Sequence, residues 1–227
     1  MLAILLMAGP FALSAPVSSQ EPGATAIPTG QPIGWTERLR EARRLYYEGL
    51  EDRSASEQAQ ELFESMYQED PEESLVTAYL GSCILLESAR TWAVWKKGKL
   101  AREGIEMMDR AVASAPGSVE IRFLRGASTR RVPAFFGLGE RPEQDLAWAA
   151  ERAETAWAEG RLEAGLAAAA FFYHGEYRES AGDVSAAREA WRKAARLAPD
   201  SRAGRSAAEQ LDRTGGRDER EGREPGA

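Results

Sequence analysis

Few side chains in this 227-residue sequence could carry out chemistry. His174 is the only histidine and Cys83 the only cysteine, so an intramolecular disulfide is excluded and His174 has no nearby Cys or His with which to share a metal ion. No serine lies in a G-x-S-x-G motif, and Gly137-Leu138-Gly139 is too short for a phosphate-binding loop. We therefore predict no catalytic residues, no metal and no cofactor, and we interpret His174 and Cys83 as packed side chains.

Two short segments that combine aromatic side chains with cations are the most informative part of the sequence. They are 90–99 (RTWAVWKKGK) and 130–139 (RRVPAFFGLG). Arginine and aromatic side chains dominate binding hot spots, and Trp and Phe also enter membrane interfaces. Arg122 and Arg125, which lie between the two segments, are added to the candidates. The candidate partner-binding residues are Trp92, Trp95, Lys96, Lys97, Arg122, Arg125, Arg130, Arg131, Phe135 and Phe136. Two interpretations stay open: the aromatics fill gaps between helices, or they bind an anionic partner together with the cations.

The charge of the chain is distributed unevenly. The net charge is −7, which argues against a nucleic-acid partner. Between Arg90 and Arg131, however, the sequence contains ten cations and four carboxylates. The net charge of this region is therefore +6, and that of the rest of the chain is −13. Such asymmetry is typical of a protein with an anionic partner.

A repeated pattern of small, large and proline residues indicates the elements that must position these segments. Three sets share sequence steps of four, three and five residues: Ala59, Phe63, Met66 and Pro71; Gly104, Met108, Ala111 and Pro116; Ala187, Trp191, Ala194 and Pro199. Steps of four and three place side chains on one helix face, where the small residue admits a neighbouring helix. The proline then ends the unit, because it cannot continue the helix.

These residues resemble the tetratricopeptide repeat (TPR) family, whose pattern is W-x2-L-G-x2-Y, A-x3-F and P over about 34 residues. The match is best in a fourth unit formed by Phe171, His174, Gly175, Ala187, Trp191 and Pro199. The other units are looser, with insertions near 90–99 and 130–140. The resemblance implies an all-α fold, a right-handed α-solenoid of about four TPR-like helix hairpins plus a C-terminal capping helix.

The sequence predicts nine helices between Trp35 and Asp212. Their ranges are 35–50, 55–69, 72–90, 95–114, 117–130, 141–159, 161–181, 183–197 and 201–212.

The flanking segments differ in composition. Residues 1–19 contain a short apolar run typical of a signal peptide, with an N-terminal anchor as the alternative. Residues 20–34 are predicted to be a disordered linker, 35–212 the helical domain, and 213–227 a disordered polar tail.

The resulting functional hypothesis is an exported, non-catalytic scaffold in the periplasm or outside the cell. It would bind a protein or peptide in its concave groove and serve the assembly or maintenance of a cell-envelope complex. The alternative is a peripheral membrane protein that uses the insertions at 90–99 and 130–139 on an anionic membrane surface. A third hypothesis, an enzyme on a helical scaffold, would need a polar pocket with paired, desolvated titratable groups.

Overall fold

The structure, a computed structural model, describes residues 34–221, with side chains as far as Gly215. In this part of the chain all regular structure is helical. A short 3₁₀ helix, Ala134–Phe136, lies between α5 and α6. The α-helices are α1 (Trp35–Glu48), α2 (Arg53–Glu69), α3 (Ser74–Arg90), α4 (Val94–Ser114), α5 (Val119–Thr129), α6 (Arg141–Ala158), α7 (Ala164–Ser180), α8 (Val184–Leu197) and α9 (Arg202–Glu221).

The all-α prediction is confirmed within residues 34–221, where nine α-helices occur and no strand does. The predicted end of the last helix is not where α9 ends, because α9 continues to Glu221. The Arg213 guanidinium donates to Glu179 of α7 at 2.7 Å, and Thr214 is buried. The Arg213 contact thus joins the first residue beyond the predicted helix end to α7. The predictions for 1–19, for 20–33 and for 222–227 lie outside the described residues.

Helices that follow one another in the chain pack as antiparallel pairs. In the pair α3–α4, Ser88 donates to the carbonyl of Lys97 beside the turn, and Gly81 meets Gly104 farther from it. In the pair α1–α2, Gly49 lies beside Ser56 next to the turn. The pairs α5–α6 and α7–α8 pack in the same manner, and α9 covers α7 and α8.

The repeated residues form the contact faces of these pairs. Gly104 lies against Gly81, and Gly175 lies against the indole of Trp191, so both glycines permit a close approach between helices. All nine non-proline members of the three sets are buried: Ala59, Phe63, Met66, Gly104, Met108, Ala111, Ala187, Trp191 and Ala194. The face predicted from the spacing is therefore the face that packs.

The three prolines occupy equivalent places in the structure. Pro71, Pro116 and Pro199 each lie two residues beyond the end of a helix, and the next helix begins three residues later. The residue before each proline has a non-helical backbone, with φ between −131° and −145° and ψ between 65° and 89°. Proline excludes the helical conformation from the residue before it, so the same chemistry produces the same connection three times.

The insertion predicted between α3 and α4 does not form a loop. Only residues 91–93 separate the two helices, and the additional residues lengthen the helices themselves. α4 has 21 residues, whereas α8, which carries the equivalent set of Ala187, Trp191 and Ala194, has 14. Segment 90–99 therefore forms the end of a long hairpin. The second insertion does form a loop, residues 130–140, which contains the 3₁₀ helix.

A buried polar network joins the first helices of successive pairs. Tyr46 of α1 hydrogen-bonds Ser82 of α3 at 2.7 Å. The Tyr79 hydroxyl of α3 donates to Glu120 of α5 at 2.7 Å, and Arg43 of α1 pairs with the same carboxylate at 3.0 Å. Burial raises the pKa of Glu120 above its ordinary value, although Arg43 opposes the rise. The network fixes the sideways alignment of α1, α3 and α5, because a buried polar group without a partner is costly.

Candidate functional site

The most exposed apolar side chains of the described residues lie at two neighbouring turns. Six large apolar side chains are exposed in the described part, and the four most exposed are Trp92 (84%), Val94 (79%), Phe135 (76%) and Trp95 (72%). We call these four residues the aromatic edge. Scattered exposed apolar residues are ordinary, but a concentration of them marks an interaction site.

The α3–α4 turn holds its aromatics outward because Ala93 points inward. Ala93 is buried between Trp92 and Val94, so its two neighbours project into solvent. The turn is fixed on both sides, since Ser88 donates to the Lys97 carbonyl and the Ala93 amide donates to the Thr91 hydroxyl at 3.4 Å. The two indoles lie edge to face with ring centroids 5.9 Å apart. They form a preorganised apolar projection.

The α5–α6 loop presents Phe135 by the same principle. Phe136 packs inward against the cluster of Leu85, Ala101 and Met108, and Leu138 is buried as well. Gly137, with φ of 74°, provides the left-handed turn that lets the chain reverse between them. Phe135 is left outside, with its ring centroid 4.6 Å from that of Phe136.

Helix α4 supports both parts of the aromatic edge. Val94 and Trp95 form its first turn, and Arg102 lies over the Phe136 ring at 5.8 Å. The seven-residue step from Trp95 to Arg102 spans about 10 Å along the helix. Both turns therefore contact the N-terminal part of α4.

Cations surround the aromatic edge, and carboxylates are absent from its two segments. Residues 88–102 and 121–139 contain no Asp or Glu, although the chain has 36 of them. Lys96, Lys99, Arg102 and Arg131 are exposed. Lys97 is half-buried and its ammonium lies 3.4 Å from the Ala89 carbonyl, so it helps to fix the turn. The two segments therefore combine exposed apolar side chains with exposed cations.

Three predicted binding residues are engaged inside the protein instead. Asp145 of α6 is 1% exposed and accepts hydrogen bonds from Arg125 at 2.6 Å and from Arg122 at 3.2 Å. Arg130 pairs with Glu176 of α7 at 2.8 Å. These arginines join α5 to α6 and α7, so we leave them out of the candidate site.

Neither protein-family models nor curated proteins give a significant match to this chain. The candidate site therefore depends on its own geometry.

Among the described residues, no cluster of three or more metal-ligating side chains occurs. His174 is half-buried in α7, where burial and the nearby Arg178 lower its pKa. No helix within residues 34–221 has the length and hydropathy needed to cross a membrane.

A recess lies between α2, α3 and α4. Its volume is about 420 Å³. Leu80, Ile84 and Met107 are its apolar lining, and three carboxylates and one arginine surround them: Glu64, Glu103, Glu106 and Arg110. The recess is thus acidic, whereas the aromatic edge is basic.

Sequence reasoning missed several residues that matter at the aromatic edge. Val94 belongs to it, and Lys99 and Arg102 lie in the same segment of the chain. The absence of carboxylates from 88–102 was a signal that could have identified these two cations. Asp145 was also missed. It stands next to Leu146 at the start of a stripe that continues through Ala149 and Ala153, so an acid on an apolar helix face was its signal.

Proposed function

We propose that this chain is a non-catalytic helical scaffold that docks onto an anionic, partly apolar partner surface through the aromatic edge. The observation that carries the proposal is the gathering of the four most exposed apolar side chains at two adjacent turns, amid exposed cations. Keeping such side chains in water is unfavourable, and a rigid support lowers the entropic cost of binding through them.

The scaffold itself is proposed to be a right-handed α-solenoid of four TPR-like hairpins with α9 as its cap. The three equivalent proline connections support this, because a repeated connection gives successive hairpins the same relative placement. The buried faces of Gly104, Gly175 and Ala187 are further support. Stacked hairpins of this kind bury apolar faces that one pair cannot cover alone.

Export is the second part of the proposal, and it depends on the sequence of residues 1–19. A short apolar run followed by small residues is typical of a signal peptide. The scaffold would then act in the periplasm or outside the cell, with retention by an N-terminal anchor as the alternative.

Photo-crosslinking in the native host tests the docking surface. A photoreactive amino acid replaces Trp92 or Phe135 in the full-length chain, and Glu57, an exposed residue of α2, serves as the matched control position. We expect irradiation to produce adducts, of protein or of lipid, at 92 and 135 and not at 57. Equal adducts at all three positions, or none at the aromatic edge, would refute the proposal.

A second candidate function is the binding of a basic protein segment in the acidic recess of α2, α3 and α4. The apolar lining and the three carboxylates favour a helical peptide with leucines and lysines. Titration with such a labelled peptide measures its affinity, and the double variant Glu103→Lys/Glu106→Lys should abolish binding. Glu57→Lys/Glu61→Lys, which changes the charge by the same amount on α2 outside the recess, is the control. A double variant that binds like the unchanged protein rules this candidate out.

A further inference from the structure

The partner surface of the aromatic edge can be identified by chemical class. We propose that the aromatic edge inserts into the headgroup layer of an anionic lipid bilayer. This inference rests on the proposed docking function and names its partner. Trp92, Val94, Trp95 and Phe135 enter the interface, while the surrounding lysines and arginines contact lipid phosphates.

The shape of the aromatic edge fits a bilayer. Its side chains project from the end of the α3–α4 hairpin and from the 3₁₀ helix of the neighbouring loop. Peripheral proteins place apolar groups about 5–10 Å into the boundary between headgroups and acyl chains. The indole is well suited to that depth, because its ring is apolar and its N–H finds polar partners there.

Charge complementarity supports the anionic character of the bilayer. Lys96, Lys99, Arg102 and Arg131 are exposed, and the segments that contain them include no carboxylate. Cations near an anionic membrane surface are attracted, whereas the rest of the chain, with its excess of carboxylates, is repelled. The same field therefore attracts the aromatic edge and orients the molecule with the edge toward the lipid.

Vesicle flotation of the full-length chain tests the inference. Vesicles of phosphatidylcholine alone are compared with vesicles of equal parts phosphatidylcholine and phosphatidylglycerol. We expect binding to the anionic vesicles that weakens as salt is added, and at least about tenfold weaker binding to the neutral ones. Equal binding to both vesicles would overturn the inference.

Two sets of variants assign the binding to the aromatic edge. Trp92→Ser/Trp95→Ser/Phe135→Ser should reduce binding to anionic vesicles about tenfold or more, since it removes the inserting groups. Trp157→Ser, which removes a partly exposed indole of α6, should leave binding unchanged. Circular dichroism checks that the triple variant keeps its helices. A triple variant that floats like the unchanged chain contradicts the inference.

A spectroscopic readout separates the aromatic edge from the apolar run of residues 2–13. Lipids brominated in the upper acyl chain quench indoles that enter the bilayer. Quenching by these lipids should disappear in Trp92→Phe/Trp95→Phe, even if another segment keeps that variant on the vesicle. Unchanged quenching would show that another segment inserts, and it would overturn the inference.

The outcomes distinguish this inference from the broader proposal. If positions 92 and 135 crosslink to a protein and the chain ignores anionic vesicles, the aromatic edge is a docking surface but its partner is not a membrane. If the aromatic edge neither crosslinks nor floats, both the docking function and the membrane inference fail.

Discussion

Replacement of Gly104 by alanine tests how closely α3 and α4 approach each other. A Cβ atom at position 104 would lie 2.5 Å from the carbonyl oxygen of Gly81 and 3.0 Å from the amide nitrogen of Leu85. Folded proteins essentially never show Cβ contacts shorter than 3.0 Å. The opposing atoms belong to the backbone of α3, so no side chain can rotate away. The two helices would have to separate.

The expected loss of stability follows from two opposing terms. Alanine favours the helix by about 0.5–1 kcal/mol relative to glycine. Overpacking costs about 1–3 kcal/mol, and we expect the upper end because backbone meets backbone. The net loss is then about 2 kcal/mol, or a fall in Tm of about 4–8 °C for a chain of this size.

Gly98→Ala is the matched control, because Gly98 lies in the same helix. Its nearest neighbour would be the Arg102 guanidinium at 3.6 Å, an ordinary contact. This variant should gain about 0.5–1 kcal/mol in the free energy of unfolding. Urea denaturation followed by circular dichroism measures both variants. If Gly104→Ala proved as stable as Gly98→Ala, the close contact of α3 with α4 would be wrong.

Three further predictions concern buried polar and titratable groups. Asp145→Ala should destabilise the fold by about 1.5–3 kcal/mol in urea denaturation, because Arg122 and Arg125 lose a buried counterion while Arg125 keeps Asp109; Glu189→Ala, in an exposed ion pair, should change nothing measurable. His174 has a pKa below its ordinary 6.5, so the unfolded chain takes up the proton first as the pH falls. The free energy of unfolding, relative to that of His174→Gln, should be constant above pH 6.5 and should fall below it. A difference between the two proteins that does not change with pH would contradict this. Burial raises the pKa of the Cys83 thiol to about 12, so Ellman's reagent should react only after unfolding. Rapid reaction of the native protein would show that the thiol is not buried.

The helices and their packing faces were predictable because local rules decide them. The step of four and three residues from Gly104 to Ala111 defines one helix face by geometry alone, and proline ends the helix wherever it stands. The aromatic side chains at both turns were likewise visible in the sequence, because segments 90–99 and 130–139 set them beside cations. Their exposure was not, since the spacing of Trp92 and Trp95 does not say which neighbour points inward.

Amino-acid order alone determined the helical class of this protein, the buried register of its second helices and the prolines that separate its hairpins, because these depend on neighbours within a few residues. Only the tertiary structure decided which charges are free. Arg125 and Arg131 look alike in the sequence, but Asp145, 20 residues beyond Arg125, neutralises one, while the other is exposed. A contact across such a separation depends on how α5 meets α6. The same packing turned Ala93 and Phe136 inward and left Trp92 and Phe135 in solvent.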